Sequence, residues 1–419
     1  MSTLAERLRG VIRDVQHRSE PAVSPPTGGS AQAADGAADV LGGEWREVGG
    51  QRFLIVDRRY GPGYRHGRMA IADAMPSADG LWPRLDLLAN AACGGRPVFV
   101  DLETTGLAGG AGTYAFLVGC GWFDGGAFRI RQFVLTSFAS ERVLLDAVAD
   151  VAGESGTVVT YNGKSFDLPL METRFVLHRR ETPFAGMPHV DMLHPARRLW
   201  RGDEASCRLT ALEQTLCGYV RDGDVPGFEI PARYFQYVRN GDARPLSAVL
   251  EHNRLDLISL ACLNARAAFL LDEGPAGARG AREALGLGRL YERGGLWRDA
   301  RACFMRACTL DDHDTETRAE SLRAYATASR RLRCHDDAAA AWRQVLQLPA
   351  CPDAILREAA EALAVHHEHR ARDLTAAHTL TLRSLTCQGT VARRQALQHR
   401  LARLERKLEG GTRPPISLF

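Results

Sequence analysis

The chain has 419 residues, enough for about two or three domains. Its hydrophobic content of 45% and charged content of 25% are typical of a globular protein, and no apolar run is long enough to span a membrane. The net charge of +3 gives the whole chain no strongly basic character of the kind that favours a tight grip on long duplex nucleic acid. The ten cysteines form no Cys-x-x-Cys pair, and the first residues lack a secretory signal. We therefore expect a cytoplasmic protein without structural zinc, disulfides or membrane contact.

The first 43 residues end in a segment from Pro21 to Gly43 that is rich in Pro, Gly, Ala and Ser. Such a composition buries little apolar surface, so we expect 1–43 to be a disordered N-terminal segment. The pattern from Trp45 to Val56 predicts a hairpin that turns at Gly49-Gly50. Arg and Tyr residues then alternate over 58–68, which is compatible with a nucleic-acid contact or with a solvated loop.

Strand-like and helix-like segments alternate from about Arg96 onward. We predict strands at Pro97–Leu102, Tyr114–Phe123, Phe128–Leu135, Thr157–Tyr161 and Val190–Leu193, and helices at Ser140–Val151, Phe166–His178, Leu209–Leu216 and Leu246–Leu271. The Asp124-Gly125-Gly126 sequence predicts a tight hairpin. This alternation predicts a mixed α/β domain over 44–272, in which helices flank the sheet.

The composition changes after a linker-like stretch from Asp272 to Gly280, beyond which strand signals are absent. Small and aromatic residues recur there every 38 residues, at Gly288, Ala326 and Ala364, at Ala300, Ala338 and Ala376, and at Phe304, Trp342 and Leu380. A repeat of this length is typical of helical solenoids, and the first unit resembles a tetratricopeptide repeat. We therefore expect an all-α helical-repeat domain over 281–409. We interpret His366-His367-Glu368-His369 within it as an exposed helix end.

Two carboxylates, Asp101 and Glu103, follow an apolar β-branched run and precede a Thr-Thr-Gly break. Because side chains alternate along a strand, we expect both carboxylates on one face. Their repulsion favours a bound cation, and carboxylate oxygens are the ligands that Mg²⁺ prefers. A solvent-facing strand end is the alternative for an isolated Asp-x-Glu.

Two further acidic segments lie downstream. Asp167 opens a predicted helix, where an acid also favours the helix dipole. His252 and Asp256 lie one helical turn apart among apolar neighbours, so either a metal or a His–Asp ion pair would satisfy Asp256. Four carboxylates and a histidine in one domain favour two divalent ions that clamp the attacking and leaving oxygens of a phosphodiester, with His252 taking a proton from water.

In this order the three segments resemble the motifs of the DEDD-type (DnaQ-like) exonucleases, which have a ribonuclease H-like fold. Residues 99–106 resemble the first motif, 161–167 the second and His252-x-x-x-Asp256 the third. Residues 229–237 look like the bacterial YprB-like subfamily, whose members also carry C-terminal tetratricopeptide-like repeats. The resemblance implies a metal-dependent 3′→5′ exonuclease that binds two Mg²⁺ or Mn²⁺ ions through Asp101, Glu103, Asp167 and Asp256.

The general base departs from the pattern of that family. In its His-type branch the base lies five residues before the last Asp, and in its Tyr-type branch a Tyr lies four residues before it. Here Glu251 takes the first position and His252 the second, so His252 is the candidate base, with Asn253 and Glu251 as alternatives. The candidate substrate-binding residues are Thr104, Asn162 and Phe166.

The favoured function is hydrolysis of DNA or RNA from a 3′ end. Single strands or 3′ overhangs are the expected substrates, since single strands need fewer phosphate contacts and more stacking than duplex. A non-catalytic scaffold that binds nucleic acid or a protein partner through the repeats is an alternative. A phosphodiesterase that acts on a small nucleotide or a short oligomer is a third hypothesis.

Overall fold

The structure is a computed structural model that describes residues 31–77, 82, 84–106, 111–200, 207–311, 314–386 and 390–411. The described chain folds as two compact units. The first extends to Arg197 and again from 207 to Asp272, and the second comprises 198–200 and the residues from Glu273 onward.

The segment that we predicted to be disordered falls largely outside the described residues, which begin at 31. Its last part is an exception, because Ala31–Leu41 form a helix, α1. Ala37 and Leu41 of this helix are buried in the core of the first unit. The prediction was therefore wrong for this stretch, since a composition average conceals the few apolar side chains that fix α1.

The first unit is built on a mixed seven-stranded sheet. In chain order the strands of the unit are β1 Glu44–Val48, β2 Gln51–Tyr60, β3 Arg65–His66, β4 Met69–Ala70, β5 Pro97–Thr104, β6 Ala115–Asp124, β7 Ala127–Val134, β8 Thr157–Thr160 and β9 His189–Asp191. The sheet has the order β1-β2-β7-β6-β5-β8-β9, while β3 and β4 form a separate ribbon. Strands β8 and β9 run parallel to β5, so the carboxyl ends of these three strands meet at one edge.

The two predicted hairpins are confirmed. Strand β1 pairs with β2 and strand β6 with β7, both antiparallel. Gly49 and Gly50 have φ of 58° and 77°, and Gly125 and Gly126 have φ of 54° and 73°. Positive φ at both central residues is the requirement of the two-residue turn that matches the strand twist. Strand β2 continues to Tyr60, so Arg58 and Arg59 belong to a strand rather than to a loop.

Helices flank both faces of this sheet. The helices of the first unit that follow α1 are α2 Leu85–Ala89, α3 Glu141–Gly153, α4 Asp167–Leu177, α5 Leu193–Leu199, α6 Leu209–Leu212, α7 Ile230–Asn240 and α8 Arg244–Glu273. Helix α8 packs on Gly119, and α3 lies on the opposite face beside Trp122 and Phe133. The expected fold class, an α/β domain with helices against a mixed sheet, is confirmed.

The predicted helix Leu209–Leu216 is α-helical only in its first part. Helix α6 ends at Leu212, and the chain continues as a π-helical turn from Glu213 to Cys217. The wider turn buries the Glu213 carboxylate, which accepts hydrogen bonds from other elements of the unit. The helical spacing of apolar residues in the sequence does not distinguish a π-helical turn from an α-helix.

The second unit contains helices and no strand in its described residues, as expected. Its α-helices are α9 Ala281–Arg293, α10 Trp297–Thr309, α11 Thr315–Arg331, α12 His335–Gln347, α13 Asp353–His366, α14 Leu374–Thr386 and α15 Val391–Gly411. Each of these helices packs against the next. A Cβ on Gly288 would lie 2.3 Å from the Phe304 ring, so only glycine admits this approach of α9 and α10. None of the described helices has the length and apolarity that a membrane span requires.

The prediction that residues 366–369 form an exposed helix end is wrong for Glu368. Its side chain is buried and accepts hydrogen bonds from Arg400, Arg403 and Lys407, at 3.0, 2.8 and 3.0 Å. These donors all lie on α15, more than 30 residues later in the chain. Glu368 therefore anchors α15 rather than facing solvent.

Candidate active site

Strand β5 presents Asp101 and Glu103 on one face, on either side of buried Leu102. The pairing of β5 with β6 shifts in register between Glu103 and Thr104. Such irregularities re-aim side chains where a strand ends. The Thr104 hydroxyl donates to the main-chain oxygen of Gly106 at 2.9 Å, so this residue closes the turn that follows the two carboxylates.

The second acidic segment follows β8 at the same edge of the sheet. Asn162 has φ of 67°, and its N–H donates to Oδ1 of the buried Asp191 at 2.7 Å. The N–H of Lys164 donates to the other oxygen of Asp191 at 3.0 Å. Asp191, at the end of β9, therefore fixes the turn that leads to Asp167, the first residue of α4.

Phe166 is a large aromatic residue in solvent beside this acid. Its relative exposure is 60%, and it directly precedes Asp167. The exposed ring thus offers an apolar surface next to a polar cluster.

Helix α8 brings the third segment over β5. The Asn253 amide donates to Oδ2 of Asp101 at 2.8 Å and to its main-chain oxygen at 3.1 Å. The Asn253 carbonyl accepts a hydrogen bond from Gln132 Nε2 at 2.8 Å. A Cβ on Gly119 would lie 2.3 Å from Asn253 Oδ1, so glycine in β6 gives the helix room to dock. The same turn of α8 carries His252 and Asp256.

The four predicted carboxylates lie near one another in a half-buried cluster. Burial, together with the charges of Asp256, Glu103 and Asp167, raises the pKa of Asp101 well above its usual range. Burial and the neighbouring carboxylates of Asp256 and Asp167 raise the pKa of Glu103 as well. Burial, with Asp191 and Asp256 nearby, raises the pKa of Asp167 to about 7. The four carboxylates are therefore close enough to affect one another's ionisation.

Of the three candidate bases, His252 is the one that directs a ring nitrogen towards the carboxylates of Asp256 and Glu103. Its Nε2 lies 3.6 Å from Oδ2 of Asp256 and 4.0 Å from Oε1 of Glu103. Asn253 is fully buried and bonded to Asp101, as described above. Glu251 is exposed and accepts a hydrogen bond from Arg254 Nε at 2.7 Å.

Two residues of the site, Arg221 and Asp224, were not predicted. Arg221 donates from Nη2 to Oδ1 of Asp256 at 2.5 Å and from Nη1 to Oδ2 of Asp224 at 3.1 Å. Asp224 Oδ1 lies 2.7 Å from His252 Nδ1. Both residues belong to the segment Arg221-Asp222-Gly223-Asp224, whose composition is that of a surface turn. Both charged residues come shortly before Val225, an apolar residue that is buried. Charged residues next to an apolar one were the sequence signal that could have identified them.

Carboxylate oxygens are the ligands that hard divalent cations prefer, and four carboxylates lie near one another here. The guanidinium of Arg221, which is bonded to Asp256, is the positive group beside them. As the side chains stand, no group of three or more His, Cys, Asp and Glu residues in the described part of the chain has the spacing of a metal site.

Comparison with known proteins agrees with the fold. Residues 98–268 match a family model described as RNase_H superfamily. The chain is also similar to a Bacillus subtilis (strain 168) protein named "Uncharacterized protein YprB", with 32% identity over 232 residues. That match covers 52% of this chain and 56% of the relative, so it spans little more than half of the relative's length. These matches agree with the mixed seven-stranded sheet, and residues 98–268 are similar to the ribonuclease H superfamily.

Proposed function

We propose that the chain is a metal-dependent 3′→5′ exonuclease of the DEDD type. The observation that supports this proposal is the half-buried cluster of Asp101, Glu103, Asp167 and Asp256, built from three distant segments of a ribonuclease H-like domain. Carboxylates that lie close together and partly out of water destabilise a fold unless cations balance their charge. Divalent ions bound for phosphodiester hydrolysis would supply this balancing charge.

In this proposal the four carboxylates would hold two Mg²⁺ or Mn²⁺ ions. Bound there, the ions supply positive charge to the phosphodiester under attack and to its leaving oxygen. His252 accepts a proton from the attacking water at Nε2, the ring atom that faces Asp256 and Glu103. Asn253 and Arg221 fix the carboxylates of Asp101 and Asp256, so that these side chains need little rearrangement during the reaction.

For the substrate, we propose single-stranded nucleic acid or a 3′ overhang. Phe166 supports this, because its exposed ring beside Asp167 offers a surface on which the terminal base can stack. Thr104 ends β5 and Asn162 lies on the turn that follows β8, so both flank the carboxylates at the same edge of the sheet. They are suited to contact the terminal nucleotide.

For the second unit, we propose tetratricopeptide-like repeats that bind a protein partner. The equivalence of buried positions supports this interpretation: Ala326 and Trp342 are buried, as are Gly288 and Phe304 38 residues earlier. Repeats of this kind present an extended surface to a partner.

Incubation with 5′-labelled single-stranded DNA and RNA, in the presence of Mg²⁺ or Mn²⁺, tests the proposed activity. We expect wild-type protein to shorten the label-bearing strand one nucleotide at a time. Asp101→Asn should reduce the rate at least about 100-fold, because it removes a ligand. Asp222→Asn, a change at an exposed acid, is the matched control and should leave the rate unchanged. Cleavage by Asp101→Asn at the wild-type rate, or cleavage that persists in EDTA, would contradict the proposal.

A further inference from the structure

We propose that Asp224 is a positioning residue, which holds the His252 imidazole in a single tautomer with its unprotonated Nε2 towards the carboxylate cluster. The catalytic consequence rests on the proposed nuclease function. The orientation of the ring is a property of the fold, and it can be measured separately.

The geometry of the imidazole defines the tautomer. Nδ1 of His252 lies 2.7 Å from Oδ1 of Asp224, which is hydrogen-bonding distance. A carboxylate only accepts hydrogen bonds, so Nδ1 carries the proton. Neutral imidazole has a single N–H, which leaves a lone pair on Nε2. Nε2 lies 3.6 Å from Asp256 Oδ2 and 4.0 Å from Glu103 Oε1, too far for a hydrogen bond to either, and it is thus available to a water molecule.

Asp224 is itself held by a buried arginine. Arg221 Nη1 donates to Asp224 Oδ2 at 3.1 Å, so one oxygen of Asp224 contacts Arg221 and the other contacts His252. The Arg221 side chain is 5% exposed, and its Nε donates to Oε2 of Glu213 at 2.7 Å. Glu213 lies 2.7 Å from Nε2 of the buried His66. The chain of contacts thus ties Asp224 to the interior of the unit.

A flexible surface ion pair would be the simpler explanation of the contact. Exposed pairs contribute about 0–1 kcal/mol and do not fix their partners. The side chains of Asp224 and His252 are 22% and 16% exposed, and the buried Arg221 also bonds Asp256. One guanidinium therefore sets the positions of both a carboxylate of the cluster and the partner of the histidine. Such support is what orients a catalytic side chain.

The arrangement also accounts for a histidine at the position where the Tyr-type branch of the resembling family has a tyrosine. An imidazole is shorter than a phenol ring, so its reactive atom depends more strongly on ring orientation. The bond from Nδ1 to Asp224 fixes that orientation and brings Nε2 within 4.0 Å of Glu103.

Nitrogen NMR of the full chain labelled at histidine, metal-free and at a pH well above the imidazole pKa, tests the orientation. Comparison with His252→Gln identifies the His252 signals. We expect the Nδ1–H form in wild type and a shift towards the Nε2–H form, which unassisted histidine favours in water, in Asp224→Ala. Asp222→Ala should leave the His252 signals unchanged. An Nε2–H form in wild type, or no shift in Asp224→Ala, would overturn the proposal.

Steady-state kinetics on a single-stranded oligonucleotide tests the consequence. We expect Asp224→Ala to lower kcat about 10–100-fold with little change in KM, and added formate to restore part of the rate by replacing the lost carboxylate. Asp224→Asn keeps the shape of the side chain, so it is the variant to use if Asp224→Ala unfolds. Unchanged kcat in an active enzyme overturns the positioning role. Absence of nuclease activity in wild type, with the expected tautomer, overturns the proposed function and leaves the positioning intact.

Discussion

Asn253 on α8 holds Asp101 on β5 through two hydrogen bonds, one to the carboxylate at 2.8 Å and one to the main-chain oxygen at 3.1 Å. The two residues are separated by 152 positions in the sequence. The same amide accepts a hydrogen bond from Gln132 on β7, so it fastens the helix to two strands. This contact determines which turn of α8 lies over the carboxylates.

We expect Asn253→Ala to lower the free energy of unfolding by about 2–3 kcal/mol. The change leaves buried Gln132 Nε2 without one acceptor and Asp101 without a donor, and unsatisfied buried groups are costly. Denaturant unfolding measures the effect. Glu251→Ala, on the exposed side of the same helix, should cost less than about 1 kcal/mol. Equal losses in the two variants would show that Asn253 does not fasten the helix.

Gly119→Ala should also destabilise the first unit, by about 1–3 kcal/mol. Its Cβ would lie 2.3 Å from Asn253 Oδ1 and 2.8 Å from Leu257 Cδ1, so α8 must move away from β6. A Cβ on Gly153, in contrast, meets nothing within 4 Å, and Gly153→Ala should leave stability unchanged or raise it. Thermal unfolding measures both variants. Equal unfolding temperatures for Gly119→Ala and Gly153→Ala would contradict the close packing of α8 on β6.

Much of this site could be predicted because its acids occupy places that sequence patterns define. Asp101 and Glu103 end an apolar strand, Asp167 opens a helix, and His252 and Asp256 share a helical face. Periodicity alone places each of these side chains on its own element. It does not place the elements against one another, and the resemblance to a family supplied that expectation.

The residues that were missed depend on contacts between distant segments. Arg221 and Asp224 lie in a turn-like sequence, and their partners are 35 and 28 positions away. Glu368 was assigned to solvent because a helix face reveals nothing about a later helix that covers it. The spacing of Arg400, Arg403 and Lys407, which share one face of α15, was the available signal.

Phe166→Ala should raise KM for single-stranded oligonucleotides about 10-fold with a smaller effect on kcat. Base stacking on an aromatic ring contributes about 1–3 kcal/mol, and the ring of Phe166 is exposed beside Asp167. Phe269→Ala is the control, because Phe269 is 50% exposed on α8 but about 20 Å along the helix from Asp256. Steady-state kinetics distinguishes them, and a wild-type KM in Phe166→Ala would exclude stacking on this ring.

Glu368→Gln should destabilise the second unit in a pH-dependent manner. Burial opposes ionisation of Glu368, but hydrogen bonds from Arg403 and Lys407 outweigh it and lower the pKa to about 2. A carboxylate with a lowered pKa contributes stability that is complete above its unfolded pKa of about 4.3 and is lost as the pH falls towards 2. The variant should therefore lose about 2 kcal/mol at pH 7 and approach wild type near pH 2.

Hydrogen exchange of α15 at several pH values follows this effect. Glu405→Gln is the control, because Glu405 is half-exposed and lies 3.6 Å from His378. If Glu368→Gln and Glu405→Gln give the same protection at pH 7, Glu368 does not anchor α15.

Equilibrium binding of Mn²⁺ to the purified full chain, followed by electron paramagnetic resonance, tests most directly whether the four carboxylates form one cation site. We expect wild type and Asp222→Asn to bind two ions per chain, and Asp101→Asn and Asp256→Asn to bind fewer ions or to bind them at least about 100-fold more weakly. Wild-type protein that binds no Mn²⁺ at millimolar concentrations, or an Asp101→Asn variant that binds like wild type, would contradict the assignment of these residues to a metal-dependent nuclease.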